Sequence, residues 1–273
     1  MDKLIFFLVD ACRFDAAVRN FGYLEHLAES GMAARYKVRG ALPSLSRPMY
    51  TTLMTGLQSS QHGVCYNVYS GTCDSPSVFS RVRECGGVTA AAAYSWFSEL
   101  FFRYPFDAMN DRLQLPSEGG AIDYGIFYDM DEYPDRCVIQ DGEFLRKTYS
   151  PDFLLLHTLA VDYNGHKYGG ESSEYERAAW FAGELIAERI KSWLDDGYQL
   201  VVTADHGMNR HGVHGGTEDA QRITPLYIIS PKVAPGVHMV NTVHEEEIAA
   251  LLCRLLGIEP AEGMAVSESV EFI

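Results

Sequence analysis

Short uninterrupted apolar runs recur along the chain and are separated by segments with helical periodicity. The first run is KLIFFLV at residues 3–9. It is short and does not alternate with polar residues, which is typical of a strand buried on both faces. Similar runs at 88–96, 152–161, 198–204 and 224–230 predict further strands of the same kind.

The segments between these runs predict helices. Residues 15–30 carry apolar side chains at helical spacing, and Gly31 ends this predicted helix. A second, shorter helix is predicted at residues 77–85. Residues 172–197 form a long amphipathic segment, and residues 244–257 end at another glycine. Strands that alternate with helices predict an α/β fold. We therefore expect a doubly wound, mostly parallel sheet with helices on both faces.

One segment breaks this alternation. Residues 98–135 are rich in Phe, Tyr, Asp, Pro and Gly, and a helical pattern returns only at FLRKTYSP. We interpret 98–150 as a small cap or lid inserted into one catalytic domain that spans 1–273. A chain of 273 residues, 47% of them hydrophobic, suits a single α/β core with such an insertion.

Composition narrows the classes of partner. The formal net charge of −15 disfavours nucleic-acid polymers and anionic lipid as main partners. No run reaches the ~20 apolar residues of a membrane span, and MDKLIFFLVD lacks the pattern of a secretory signal. Six cysteines without a CxxC pair predict reduced thiols, mostly buried. We therefore expect a cytoplasmic protein without a membrane partner, and its oligomeric state stays open.

Three apolar runs each lead into an aspartate, namely Asp10, Asp162 and Asp205. Ligands of open α/β sheets bind at the carboxyl ends of strands, so these carboxylates should meet at one edge. A single strand-end aspartate such as Asp10 is equally well explained as a helix cap. Three carboxylates in one place instead require compensating cations.

Histidines follow two of these aspartates at spacings that suit metal ligands. Asp162 and His166 form a DxxxH pair, and Asp205 is followed directly by His206. His214 lies in HGVHGG, whose glycines let the backbone approach a ligand closely. Carboxylates with imidazoles suit Zn²⁺, with Mn²⁺ as a competitor. Two divalent cations would balance three carboxylates and one serine alkoxide.

Ser46 provides a nucleophile for such a site. It precedes a helix as a predicted N-cap, with Pro48 in the first turn and Gly56 at the end. A cation can lower the pKa of a serine hydroxyl, and a helix N-terminus favours phosphate. Without the surrounding ligands, Ser46 would be interpreted only as a cap.

The segments ALPSLSRPMYTTLMTGLQSSQHGV, VDYNGHKYG and TADHGMNRHGVHGG resemble the alkaline phosphatase superfamily, and most of all its type I phosphodiesterase/nucleotide pyrophosphatase branch. The resemblance covers most of the chain in the right order and is weakest at 98–150. It implies an alkaline phosphatase-like core, two zinc ions and a phosphoserine intermediate on Ser46. It assigns one metal to Asp162, His166 and His214, and the other to Asp10, Asp205 and His206, with Ser46 as a further contact.

The chain departs from this branch at Met49, where the nucleotide pyrophosphatase pattern has an asparagine that binds a phosphoryl oxygen. Arg47 is a candidate substitute, although it could equally be a surface residue, and Asn67 is a weaker candidate for substrate binding. His157 lies inside an apolar run and is better explained as a core residue than as a ligand. His214 is preferred over His211 because it directly precedes Gly-Gly.

These observations favour a two-metal phosphodiesterase, or nucleotide pyrophosphatase-like hydrolase, that acts on a small phosphorylated substrate. Alternatives within the superfamily are a phosphomonoesterase and a phosphonate hydrolase. A sulfatase-like hydrolase is a rival, but the sulfatase nucleophile pattern fails at Met49 and Tyr50. A non-catalytic metal-binding module is the remaining alternative, and the intact Ser46 argues against it.

Overall fold

The computed structural model describes residues 1–116 and 120–273. Its strands form a single mixed sheet, and the apolar runs of the sequence supply the central ones. In chain order the strands of the described residues are β1 (Lys3–Val9), β2 (Ala34–Arg39), β3 (Thr89–Tyr94), β4 (Leu113–Gln114), β5 (Tyr124–Tyr128), β6 (Phe153–Thr158), β7 (Tyr198–Thr203), β8 (Ile223–Ile229) and β9 (Gly236–His244).

The spatial order of the strands is β4-β5-β3-β6-β1-β7-β8-β2-β9. Strand β1 lies in the middle and pairs in parallel with β6 and β7. Strand β8 is antiparallel to both of its neighbours, and the short strand β4 is antiparallel to β5. The sheet is therefore mostly parallel, as the alternation of strands and helices predicts.

Helices connect the strands. They are α1 (Phe14–Asn20), α2 (Gly22–Glu29), α3 (Ser46–Thr55), α4 (Ser59–His62), α5 (Val78–Glu84), α6 (Ser95–Phe101), α7 (Ala108–Asp111), α8 (Asp135–Tyr149), α9 (Ala160–Tyr168), α10 (Ser173–Asp195), α11 (Asp219–Arg222) and α12 (Ile248–Leu256), with a 3-10 turn at Glu245–Glu247. Among the described residues, no helix combines the length and the apolar character that crossing a membrane requires.

Two hydrophobic cores lie on opposite faces of the sheet, because successive strand residues point in opposite directions. Leu4, Phe6 and Leu8 of β1 face one core, to which α3, α5, α6 and α12 contribute. Ile5, Phe7 and Val9 face the other, to which α1, α2, α8 and α10 contribute. This confirms the predicted doubly wound arrangement.

The segment 98–150 differs from the expected cap. It contains β5, which pairs with β3 over five residues and extends the sheet, and β4, which pairs with β5. It also contains all of α8, which buries Val138, Ile139 and Leu145 in the core beside α10. Phe127 and Tyr128 are buried, whereas Phe144 is exposed. Because β5 extends the sheet and α8 packs on it, the described part of 98–150 belongs largely to the main body of the fold.

Smaller predictions also need correction. The segment 15–30 forms two helices that break at Phe21, and the run 152–161 is a strand only as far as Thr158. All six cysteines lie in the described residues and are free, as expected. Only Cys12 and Cys253 are buried, however, and Cys65 and Cys85 are exposed, so the expectation of mostly buried thiols is wrong.

Candidate functional site

The central strands bring two of the predicted aspartates to one edge of the sheet. Asp10 directly follows β1, and Asp205 lies two residues after the end of β7. In the sheet, β1 lies between β6 and β7 and pairs Leu8 with both His157 and Thr203. The carboxyl ends of the three parallel strands therefore meet, and the acidic side chains meet with them.

Asp162 reaches the same edge from a helix rather than from a strand end. Strand β6 stops at Thr158, and Asp162 lies in the first turn of α9. His166 lies one turn further on, so both side chains share one face of the helix. The Nε2 atom of His166 is 3.4 Å from Oδ1 of Asp162. The DxxxH spacing therefore places a carboxylate oxygen and an imidazole nitrogen side by side, and both could donate to one metal ion.

The described residues contain two overlapping groups that could hold a metal ion, with ligand atoms within 4.8 Å of one another in each group. One is Asp162, His166 and His214, and the other is Asp10, Asp162 and His206. Asp162 belongs to both groups and takes the place that the resemblance gives to Asp205 in the second. Asp205 lies beside that group, with Oδ2 3.2 Å from Nε2 of His206.

The backbone fixes the orientation of the three imidazole rings. The Nδ1 atom of each ring lies 2.9–3.0 Å from a backbone carbonyl oxygen. The carbonyl acceptors are Gly212 for His166, Gly207 for His206 and Ser44 for His214. A carbonyl accepts only from N–H, so each Nδ1 carries the proton and each Nε2 presents a lone pair to the site.

Two of these lone pairs face each other, because Nε2 of His166 is 3.1 Å from Nε2 of His214. Two acceptors at this separation need a proton or a cation between them. Burial lowers the pKa of His214, and burial together with the charge of His214 lowers the pKa of His206 to about 3. Neutral rings are the form that binds metals, so a metal cation fits this arrangement better than a proton.

The surroundings of the carboxylates also favour a bound cation. Asp10 Oδ1, Asp162 Oδ1 and Asp205 Oδ2 are buried oxygens without a hydrogen-bond partner. Burial, followed by the nearby charge of Asp10, raises the pKa of both Asp162 and Asp205 well above the usual range. Burying several carboxylates without a partner is strongly unfavourable. The donor set therefore fits divalent cations of the kind that bind carboxylate oxygen and imidazole nitrogen.

Ser46 lies directly against this ligand set. Its Oγ is 3.0 Å from Nε2 of His206, and the residue is only 6% exposed. Ser46 is the first residue of α3 rather than its N-cap, because Leu45 occupies the cap position. Pro48 in the first turn and the left-handed Gly56 at the end are as the sequence predicts. The hydroxyl thus stands at a helix N-terminus, where anions are favoured.

The loop that carries His214 packs onto the segment that precedes Ser46. The backbone N–H of Gly215 donates to Oγ of Ser44, and the His214 ring donates to the Ser44 carbonyl. Gly215 has a φ of +103°, and a Cβ there would lie 2.8 Å from a methyl group of Leu45. A side chain at this position would push the two segments apart, so the glycine is required for the close approach.

Arg47 and Asn67 lie close to the nucleophile but differ in what they can do. The guanidinium of Arg47 donates to the Tyr69 carbonyl and to Glu99, both at 2.6 Å, and stacks on Trp96. Arg47 is 3% exposed, so the surface alternative is wrong. Both of its terminal guanidinium nitrogens donate in these hydrogen bonds, whereas the buried Nε has no hydrogen-bond partner. Oδ1 of Asn67 accepts from the Arg47 backbone N–H at 3.0 Å, which places the Asn67 amide beside the N-terminus of α3.

The two side chains that contact Oδ2 of Asp10 were not identified from the sequence as part of the site. His157 is a buried core residue, as expected, but its Nε2 also lies 2.9 Å from Oδ2 of Asp10. The hydroxyl of Tyr50 donates to the same oxygen. Tyr50 lies four residues after Ser46 on α3, so its helical position was the available signal. His211 lies outside both ligand groups, and the preference for His214 as the metal ligand stays a prediction.

The sequence matches a known family. The family model for type I phosphodiesterase / nucleotide pyrophosphatase matches residues 4–215. Among curated proteins, GPI ethanolamine phosphate transferase 1 of Emericella nidulans is 28% identical over 221 residues, which cover 77% of this chain and 24% of that protein. The human GPI ethanolamine phosphate transferase 2, catalytic subunit, is 24% identical over 94% of this chain and 26% of its own length. The chain thus spans about a quarter of these relatives.

Solved structures share the fold. Murine ectonucleotide pyrophosphatase / phosphodiesterase 5, as an inactive variant in complex with AMP, superposes with a TM-score of 0.77 at 12% identity and covers 99% of this chain and 100% of that one. A structure described as a sulfatase from Bacteroides fragilis gives a TM-score of 0.64 at 15% identity, over 98% of this chain and 77% of that one. At these identities the likeness concerns the fold alone.

Proposed function

Because the chain belongs to the type I phosphodiesterase / nucleotide pyrophosphatase family, we propose that it cleaves phosphate esters with Ser46 as the nucleophile and two divalent cations as cofactors. The preferred substrate class is a phosphodiester of a small molecule, and the preferred reaction is hydrolysis. The family model, the fold and the phosphoester-transferring relatives together support an enzyme that handles phosphoesters.

The observation that carries the proposal is the position of the Ser46 hydroxyl. It lies 3.0 Å from Nε2 of His206, next to buried carboxylate oxygens that have no other partner. A serine hydroxyl in ordinary surroundings is a weak nucleophile. One placed among ligands for divalent cations, at the N-terminus of a helix, is arranged for attack on a phosphoryl group.

The ligand sets suggest how two cations would be held. Asp162, His166 and His214 would hold one, and Asp10, Asp205 and His206 the other, with Asp162 within reach of both. Imidazole and carboxylate together suit Zn²⁺, with Mn²⁺ as the alternative. When bound, such cations supply the positive charge that activates the serine hydroxyl and stabilises phosphoryl oxygens.

Side chains of the protein would carry out nucleophilic attack and bind the phosphoryl group. Ser46 Oγ forms the bond to phosphorus as the bond to the leaving alcohol breaks, and the alcohol takes up the proton of the serine hydroxyl. The product is a phosphoserine that keeps the second ester group of the diester. Water then cleaves the phosphoserine and restores the hydroxyl. Because Oδ1 of Asn67 is held by the Arg47 backbone N–H, its amide nitrogen is the group left to bind a phosphoryl oxygen. We propose that role for Asn67, while Arg47 braces the helix N-terminus through Glu99, Tyr69 and Trp96.

The curated relatives favour a second candidate function, which is the transfer of a substituted phosphate group. Several curated relatives are named as GPI ethanolamine phosphate transferases and align with 77–94% of this chain. The same phosphoserine could be resolved by an alcohol in place of water, which would transfer a substituted phosphate group. Product analysis with a phosphoethanolamine ester and added alcohols distinguishes this transfer from hydrolysis.

The cytoplasmic location and the absence of membrane and nucleic-acid partners stay predictions.

The proposal is tested with a substrate panel on metal-loaded protein. Bis-nitrophenyl phosphate, nitrophenyl phosphate and nitrophenyl sulfate separate diesterase, monoesterase and sulfatase activity. We expect turnover of the diester, its loss after chelation and its return with Zn²⁺ or Mn²⁺. We expect the Ser46→Ala variant to lose this turnover. Ser98→Ala is its matched control, because Ser98 is also a buried serine but lies in α6. Turnover of none of the phosphate esters by a zinc-loaded protein would contradict the proposed function.

A further inference from the structure

The two carboxylate oxygens of Asp10 have different surroundings. Oδ2 accepts hydrogen bonds from the Tyr50 hydroxyl and from Nε2 of His157, the latter at 2.9 Å. Oδ1 has no hydrogen-bond partner and lies 3.5 Å from Nε2 of His206. One oxygen is therefore saturated by the protein, and the other is left facing the ligand set.

The direction of the His157 hydrogen bond follows from its neighbours. The backbone N–H of Tyr94 donates to Nδ1 of His157 at 3.3 Å, so Nδ1 is the acceptor nitrogen of the ring. The proton is then on Nε2, which donates it to Asp10. The Tyr128 hydroxyl donates to the His157 carbonyl at 2.9 Å and holds the residue from a neighbouring element. Strands β3, β5 and β6 thus combine to fix this ring.

Tyr50 connects Asp10 to the helix of the nucleophile. It lies on α3 four residues after Ser46, and therefore on the same face of the helix. Its ring stacks on Phe97 at a centroid distance of 4.5 Å and meets His157 edge-on at 5.0 Å. These contacts leave the hydroxyl little choice of direction. Tyr50 thus links the end of β1, which carries Asp10, to the helix that carries Ser46.

We propose that Tyr50 and His157 are a pair of positioning residues that hold Asp10 as a metal ligand through one oxygen only and set the distance from that metal to Ser46. The inference rests on the proposed function, because it concerns the same site. Groups that orient metal ligands typically change metal affinity by about 10–100-fold when they are removed. If the pair served only to satisfy a buried carboxylate, its loss would lower stability but leave the zinc affinity of the folded protein unchanged.

The experiment measures the zinc affinity of the full chain by competition with a chromophoric chelator. Tyr50→Phe keeps the ring and removes the donor, and we expect a 10–100-fold weaker affinity at one of two zinc sites. Tyr198→Phe is the matched control, since Tyr198 is a buried tyrosine whose hydroxyl donates to the Pro151 carbonyl away from the site. We expect its zinc affinity to equal that of the wild type.

A second pair of variants covers His157. His157→Leu removes the donor, and His157→Gln places an amide N–H near the position of Nε2. We expect His157→Leu to weaken zinc binding and His157→Gln to restore a substantial part of it. Thermal unfolding of each variant with excess chelator confirms that the variants compared are folded. A structural role alone would not produce this order of zinc affinities.

The possible failures are distinguishable. Wild-type zinc affinity in both folded Tyr50→Phe and folded His157→Leu would overturn the inference and leave the proposed function intact. Tight zinc binding by the wild type without turnover of any phosphate ester would overturn the proposed function, while the order of zinc affinities would still test the pair. A wild type that binds neither zinc nor manganese would overturn both.

Discussion

Asp135 is a buried carboxylate that supports the site from outside the ligand set. It is the first residue of α8, is 2% exposed, and accepts the backbone N–H of Ala160 at 3.2 Å. It thereby caps the N-terminus of α9, the helix that carries Asp162 and His166. Burial raises the pKa of Asp135 from 3.8 to about 7, against the opposing effect of the backbone hydrogen bonds from Ala160 and Leu159.

The sign of the resulting pH dependence follows from this raised pKa. The folded protein keeps the Asp135 proton up to about pH 7, whereas the unfolded chain loses it near pH 3.8. This contribution to stability is therefore complete below the unfolded pKa and is lost as the pH rises through the folded pKa. At about 1.36 kcal/mol per pH unit, the full difference is roughly 4 kcal/mol, and the part between pH 5 and 7 is roughly 2–3 kcal/mol.

Asp135→Asn removes the titrating group and keeps an oxygen that can accept from Ala160. We expect the free energy of unfolding of the wild type, relative to this variant, to fall by roughly 2–3 kcal/mol from pH 5 to pH 7. Urea unfolding of metal-free protein at several pH values measures it. Asp219→Asn, at an exposed carboxylate, controls for the change in charge. A wild-type minus variant difference that is constant or rises with pH would refute the reasoning.

Three further predictions concern the site directly. Ser46→Ala should lower turnover of a phosphodiester by at least about 10³-fold while two metal ions per chain remain bound, as measured by kinetics and elemental analysis; normal turnover would exclude Ser46 as the nucleophile. His214→Ala should lose one metal, whereas His211→Ala, in the same loop but outside the ligand groups, should keep both. Gly215→Ala should destabilise the folded chain by about 1–3 kcal/mol in urea unfolding, because φ is +103° and the new methyl group would meet Leu45; unchanged stability would show that the loop can move away.

The parts of the fold that the sequence could predict are those that are buried on both faces. KLIFFLV and YQLVVT are continuous apolar runs, and they form the central strands β1 and β7. Strand β9 could not be recognised in this way, because it is largely exposed and carries polar residues between its apolar ones. The five-residue strand β5, YGIFY, was hidden in a segment rich in turn-forming and aromatic residues. It joins the sheet because β3 offers an unpaired edge, which is tertiary information.

The candidate site, like the fold, could be predicted from the sequence only in part. Side chains that chemistry marks, such as the aspartates and the histidine before Gly-Gly, could be chosen from residue type and spacing. The helical position of Asp162 could not, because the apolar run continues from β6 across the strand end into α9. The contacts of Arg47 with Glu99 and of His157 with Asp10 join distant parts of the chain. No local pattern reports such contacts.

In the proposed mechanism, side chains from Asp10 to His214 form one site for two divalent cations beside Ser46. The most direct measurement is anomalous diffraction at the zinc absorption edge, from crystals of the full chain grown with zinc. We expect two anomalous peaks at this edge of the sheet, one contacting His166 and His214 and the other contacting Asp10 and His206, with ligand distances of about 2.0–2.2 Å. Zinc peaks confined to other parts of the molecule, or no zinc peak among these side chains, would contradict the account.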